Sequence, residues 1–269
     1  MKRMDLTPNP SSKAKLVGYL HDKNEQEMPN RIKRPCVVVC PGGGYEFCSA
    51  READPVAFSF FSRGYNVFIL YYSVGKEAAG LQPLSDLSLS VLTIRENSEE
   101  WGIFPDKLAV CGFSAGGHLA ASLGTLWNSS LLAKDAGGGA GDANRPDAMI
   151  LGYPVISAGQ FAHEGSLRWV SGGNEEFRKL FSLEEQVTPR TPPAFLWHTS
   201  DDGCVPAENT LLFASALQKN HIPFECHIYP HGNHGMSMCS EETGCRDPHL
   251  ATWFPLCAQW LGQLFGFTE

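Results

Sequence analysis

Apolar residues in this chain gather in short unbroken runs rather than alternating with polar ones. The runs are CVVVC (36–40), NVFILYYS (66–73), KLAVCGF (107–113), DAMILGYPV (147–155), PAFLWHTS (193–200) and FECHIYP (224–230). A short run that is apolar at successive positions suits a strand covered on both faces, the environment of a parallel sheet. Longer segments between the runs carry apolar residues one helical face apart. Leu87, Val91, Ile94 and Trp101 do so within 84–101, and 115–126 is rich in Ala and Leu. Leu211, Leu212, Ala214, Ala216 and Leu217 form such a face within 207–220, and 249–265 closes the chain. Strands alternating with helices imply βαβ crossovers. The prediction is an α/β fold with a mostly parallel central sheet and helices on both faces.

Two stretches break this rhythm. Residues 133–147 (AKDAGGGAGDANRPD) read as a surface loop, because no Lys-Ser/Thr follows the glycines as a phosphate cradle requires. Residues 157–192 are polar and mostly helical in pattern, and lie between two strand runs. They are predicted to form a small helical cap over the C-terminal edge of the sheet, where ligands bind in such folds. The whole of 1–269 then reads as a single domain with that insertion.

Composition narrows the functional classes. With 43% hydrophobic and 19% charged residues the chain has the make-up of a soluble globular protein. A formal net charge of −8 without a basic patch weighs against nucleic acid as a partner. No apolar run approaches the roughly 18 residues of a membrane span, and no apolar stretch follows the basic residues of MKRMDLTPNPSSKAK, so a cytoplasmic location is the expectation. Nine scattered cysteines fit reduced thiols in that compartment. Cys239, Cys245 and His249 match no common zinc spacing, and neither a metal nor an organic cofactor is expected.

The chemistry enters with Cys111-Gly112-Phe113-Ser114-Ala115-Gly116, where a strand run meets an Ala-rich helix. Glycines two residues either side of Ser114 relieve the crowding of a sharp strand-to-helix turn, and such a turn holds a serine exposed as a nucleophile. A serine hydroxyl needs a base, and the base an orienting acid. In a fold of this kind they follow in the order acid, then histidine, on loops after later strands. Asp202 follows run 193–200 in DDGCVP, and His234 follows run 224–230 in HGNHG. Asp201 is the alternative acid, and motif logic alone does not separate two adjacent carboxylates. His231 is read as shaping its loop, and His118, His198 and His227 as structural. PGGGY (41–45) follows the run 36–40, so the amides of Gly43 and Gly44, with that of Ala115, are the expected oxyanion donors.

These motifs together resemble the α/β-hydrolase-fold carboxylesterases. The likeness is to the small bacterial branch called acetyl xylan esterase or acetyl esterase/lipase-like, related to the hormone-sensitive-lipase group. RPCVVVCPGGGY (34–45), WGIFPDKLAVCGFSAGGHLAASLG (101–124), ILGYPVIS (150–157), TPPAFLWHTSDDGCVPAENTLLFASAL (191–217) and HIYPHGNHG (227–235) carry the resemblance, in order. It implies Ser114 as nucleophile, His234 as general acid/base and Asp202 as its partner. For the alcohol part it implies esters of xylo-oligosaccharides or other sugars. The polar region 157–192, with HEGSLRWVSGGNEEFRKL and without a continuous apolar face for a lipid, points to short acyl groups, acetyl foremost. Tyr45, Pro154 and Trp169 are the expected substrate contacts, with Phe47 and Trp197 as further stacking surfaces, core packing being the competing reading of each aromatic. A peptidase of the same fold, or a non-catalytic small-molecule binder, are the alternative functions.

Overall fold

The computed structural model describes residues 1–132, 136 and 141–268. Eight strands form one sheet: β1 (Lys2–Leu6), β2 (Lys15–Leu20), β3 (Arg34–Cys40), β4 (Asn66–Tyr71), β5 (Ile103–Phe113), β6 (Ala148–Gly152), β7 (Ala194–Thr199) and β8 (Phe224–Tyr229). Their spatial order is β1-β2-β4-β3-β5-β6-β7-β8. From β4 to β8 across the sheet every pairing is parallel, and β1 and β2 add an antiparallel ribbon beside β4.

The six apolar runs all became parallel strands, for a reason visible in β3. Cys36, Val38 and Cys40 join one hydrophobic cluster, while Val37 and Val39 join another on the opposite face. Helices α2 (Gln82–Glu96), α4 (Ala115–Leu126) and α7 (Glu208–Lys219) pack on the first cluster, and α1 (Asp54–Ser62) and α8 (Trp253–Phe265) on the second. A residue of β3 facing either way is therefore buried, and the sequence shows no alternation there. β8, at the far edge of the sheet, buries only Tyr229.

The edge ribbon is the exception. β1 is mostly exposed, with sequence KRMDL, so it lacks the continuous apolar signal of the inner strands. In β2, Gly18 lies where a Cβ would stand 2.5 Å from the Phe68 ring, so close packing removes an apolar side chain from the run. The expected helix 84–101 is divided: α2 ends at Glu96 and a short α3 (Ser98–Trp101) follows, with Leu87, Val91, Ile94 and Trp101 buried as expected. In α7 the buried face is rotated, since Leu211 is half exposed while Phe213, Ala214 and Leu217 are buried. The expected cap region contains α5 (Glu164–Ser171), α6 (Glu175–Leu180) and a 3-10 turn at Leu183–Glu185. Of the loop expected at 133–147, residues 133–135 and 137–140 lie outside the described residues. Among the described residues no helix is long and apolar enough to cross a membrane.

Candidate active site

Strand β5 runs straight into α4, and Ser114 is the residue at the corner, with φ 54° and ψ −120°. A non-glycine residue in that region is strained by about 1–3 kcal/mol and persists only where its surroundings hold it. They do so here. The Ser114 amide donates to the Gly152 carbonyl, and the Ser114 carbonyl accepts from the amides of Val155 and His118. The flanking glycines are required by close approach. A Cβ at Gly112 would stand 2.0 Å from the Gly116 carbonyl oxygen, and one at Gly116 would stand 2.1 Å from that of Cys40. No side chain fits either place.

His234 reaches the serine from the loop after β8, and Asp202 reaches the histidine from the loop after β7. His234 Nε2 lies 2.8 Å from Ser114 Oγ, and His234 Nδ1 lies 2.7 Å from Asp202 Oδ2. The Asp202 side chain is buried, and its Oδ1 accepts from the amides of Cys204 and Val205. Burial opposes ionisation of Asp202, but hydrogen bonds from His198 and His234 outweigh it and hold the carboxyl well below its usual range. Of the two adjacent aspartates, Asp202 is the one bonded to His234. Asp201 is exposed, accepts from the Gly232 amide, and pairs with His231 Nδ1 at 3.0 Å. A carboxylate held ionised fixes the imidazole with Nδ1–H towards it, so that Nε2 is left to accept the hydroxyl proton.

The glycine loop after β3 faces the same cleft. Gly43 (φ 125°) and Gly44 (φ 66°) adopt backbone that favours glycine. Among the described residues the amides of Gly43, Gly44 and Ala115 have no hydrogen-bond acceptor in the chain. The cleft has a volume of about 390 Å³ and is lined by Gly43, Gly44, Phe47, Ser49, Ala50, Arg51, Glu52, Ser114, His163, Cys204, His234 and Gly235.

The three expected substrate contacts do not line this cleft. Tyr45 is 1% exposed, with its phenol 2.8 Å from His118 Nδ1, and serves as core packing under the glycine loop. Burial lowers the His118 pKa to about 4, so the ring is neutral at that contact. Pro154 is buried close to Gly117. These two expectations are corrected by burial: both residues shape the site from beneath. Trp169 is half-buried, donates from its indole nitrogen to Glu46, and lines a neighbouring hollow with Lys76 and Arg168. Trp197 is fully buried against Trp253, whereas Phe47 is 58% exposed at the cleft.

Four residues at the site escaped the sequence reading. His198, read as structural, stands 3.3 Å from Asp202 Oδ2 while also bonding Val205 and Thr210. His163 comes from the cap region and caps α5, where the Ser166 amide donates to its Nδ1. With Nδ1 accepting, Nε2 carries the proton of the neutral ring and is the donor left near the cleft, 3.7 Å from Cys204 Sγ. Arg51 and Glu52 lie in a 3-10 turn that the chain pattern does not announce.

Comparison with known proteins places these features in context. The family described as BD-FAE matches residues 25–217. Over 233 residues, 84% of the chain, the sequence is 40% identical to endo-1,4-beta-xylanase B of Butyrivibrio fibrisolvens, of which it covers 35%. It is 26% identical to an acetylxylan esterase of Xylanibacter ruminicola over 98% of the chain and 49% of that protein. The chain thus spans half or less of the length of these curated relatives. The crystal structure of an acetyl ester-xyloside bifunctional hydrolase from Caldicellulosiruptor lactoaceticus superposes with a TM-score of 0.82 at 37% identity, covering 97% of this chain and 92% of that one.

Proposed function

The chain belongs to the BD-FAE family of α/β-hydrolase-fold proteins, and from that footing we propose that it is a serine carboxylesterase acting on short acyl esters, acetyl foremost, of xylo-oligosaccharides or other sugars. The observation that carries the reading is the chain of hydrogen bonds from Ser114 through His234 to Asp202, opening on a cleft beside unpartnered amides. Relatives named acetylxylan esterase and acetyl ester-xyloside hydrolase support the choice of ester and sugar. The polar surface of the cap region supports a short acyl group, since α6 buries no residue and α5 buries only Ser166, Leu167, Val170 and Ser171. The chain is read as one domain, 157–192 being its cap.

In this mechanism Ser114 Oγ attacks the ester carbonyl carbon as its proton passes to His234 Nε2. The carbonyl oxygen becomes an oxyanion held by amides of Gly43, Gly44 and Ala115. The tetrahedral intermediate collapses, the carbon–oxygen bond to the alcohol breaks, and the alcohol leaves with the proton from His234. Water then gives its proton to the same nitrogen, attacks the acyl-serine, and releases the carboxylic acid. Asp202 keeps the imidazole oriented and stabilises its protonated form throughout. Phe47 and the Nε2–H of His163 are the surfaces offered to the sugar.

Acetate release from acetylated xylo-oligosaccharides, followed for wild type and Ser114→Ala side by side, tests the proposal. Release by wild type alone supports it. Equal release by Ser114→Ala overturns the nucleophile, and an acyl-length series that peaks at eight carbons or more overturns the acetyl preference.

A further inference from the structure

Glu52 is a carboxylate 4% exposed, on the wall of the cleft, with no part in the proton relay. Its Oε2 accepts from the Gly42 amide at 2.8 Å, one residue before the oxyanion glycines. Its Oε1 is 2.6 Å from the Tyr153 phenol, which donates to it. The Tyr153 oxygen in turn accepts from the Ser237 amide, three residues beyond His234. Ser237 Oγ also donates to the carbonyl of Arg51, next to Glu52. The Tyr153 ring meets the His234 ring edge-on, centroids 5.0 Å apart. A Cβ built on Gly42 would lie 2.6 Å from Glu52 Oε2 and 3.0 Å from Ser114 Cβ, so a single glycine separates this carboxylate from the serine.

Resting on the esterase reading of this site, we propose that Glu52 is a positioning residue: its carboxylate clamps the oxyanion loop to the loop bearing His234 and favours the imidazolium that forms there. Both carboxylate oxygens accept from fixed donors, the pattern that an ionised carboxylate satisfies. Burial raises the Glu52 pKa, with the Tyr153 and Gly42 hydrogen bonds working against that rise. Burying an acidic group in this way is unfavourable for folding unless it is fully bonded. It is placed where positive charge develops as the serine proton moves, and a second anion near the imidazole lowers the energy of that charged state.

The other groups facing His234 bear on the same balance. Asp202 and Ser114 bond its two nitrogens. His198 stands behind Asp202, and Tyr153 covers the ring. His163 and Cys204 line the cleft with it. Arg51 opposes the effect of Glu52, its Nη2 lying 3.2 Å from where a Cβ on Gly235 would be.

The test is Glu52→Gln, which keeps the shape and removes the charge. Against a short aryl acetate, kcat is expected to fall by about 10- to 100-fold, below the 10²–10³ of a lost direct oxyanion donor, with KM within about threefold. Less negative charge near the base makes it harder to protonate, so the acid limb of the kcat/KM profile moves to lower pH. Melting within about 5 °C of wild type shows that the fold is kept. A kcat within about threefold of wild type and an unmoved acid limb would overturn the proposal. Should Glu52→Gln fail to fold, Tyr153→Phe removes the phenol of the clamp, and an unchanged kcat there overturns it equally. Labelling of Ser114 by a fluorophosphonate separates the two levels: loss of reaction at Ser114 in wild type defeats the esterase reading, whereas an unmoved profile in a variant that still labels defeats the role of Glu52 alone.

Discussion

Replacing Gly43 by alanine tests the oxyanion loop where the geometry is least forgiving. At φ 125° the position lies where side chains are rarely tolerated, and the new Cβ would stand 2.2 Å from the Phe47 carbonyl oxygen. That neighbour is backbone and cannot swing aside as a flexible side chain can. The loop must shift, and with it the Gly43 amide. Backbone strain of this kind is worth about 1–3 kcal/mol of stability. Loss of one oxyanion donor lowers kcat by about 10²–10³-fold, or roughly 3–4 kcal/mol in the barrier. Gly44→Ala is the internal control: its φ of 66° is left-handed, but a Cβ there meets nothing within 4 Å, so a stability loss of about 1–2 kcal/mol is expected with kcat reduced less than at Gly43. The assay is steady-state hydrolysis of a short aryl acetate, with thermal melts to confirm that both variants fold. A folded Gly43→Ala enzyme with kcat within about threefold of wild type would refute the assignment of that amide.

Other perturbations bear on the relay and the cleft. Asp202→Asn leaves shape intact but reverses the hydrogen-bond sense at His234 Nδ1, and kcat should drop by about 10⁴-fold with little change in KM. In stability the sign runs the other way from a raised group: because the native Asp202 pKa is depressed from 3.8, its contribution is present above that value and is lost as pH falls towards the native one. Acid titrations of unfolding should therefore show a shallower loss below pH 3.8 in Asp202→Asn than in wild type. His163→Ala removes one neutral donor from the cap side, so KM for an acetylated oligosaccharide should rise by about 3- to 10-fold while aryl acetate kcat stays within about twofold.

The inner sheet was legible because β3 to β7 are covered on both sides, and burial on both sides writes itself as an unbroken apolar run. β8, at the outer edge, buries only Tyr229, and its FECHIY run is broken by Glu225 and His227. The antiparallel ribbon of β1 and β2 was not, since one of its strands faces solvent and Gly18 of the other is spared a side chain by Phe68. Order along the chain, each after its own strand, led to the expectation that Ser114, Asp202 and His234 converge, and the structure brings them within hydrogen-bonding distance. The choice between Asp201 and Asp202 needed coordinates, because only the loop's path decides which carboxylate turns inward. Tyr45 illustrates the limit in the other direction. An aromatic beside three glycines suggests a stacking surface, yet the left-handed backbone at φ 63° turns it under the loop to His118. Glu52 gives no sequence signal, because Tyr153 is distant along the chain and Gly42, though nearby, bonds it only through a backbone amide.

The central claim is that the hydroxyl of Ser114 is the one activated nucleophile of this cleft. Intact-mass and peptide mapping after exposure to a fluorophosphonate measures it directly. A single adduct on Ser114, formed in step with loss of esterase activity and much more slowly in His234→Ala, is the predicted result. An adduct on another residue, or full inactivation while Ser114 remains unmodified, would contradict it.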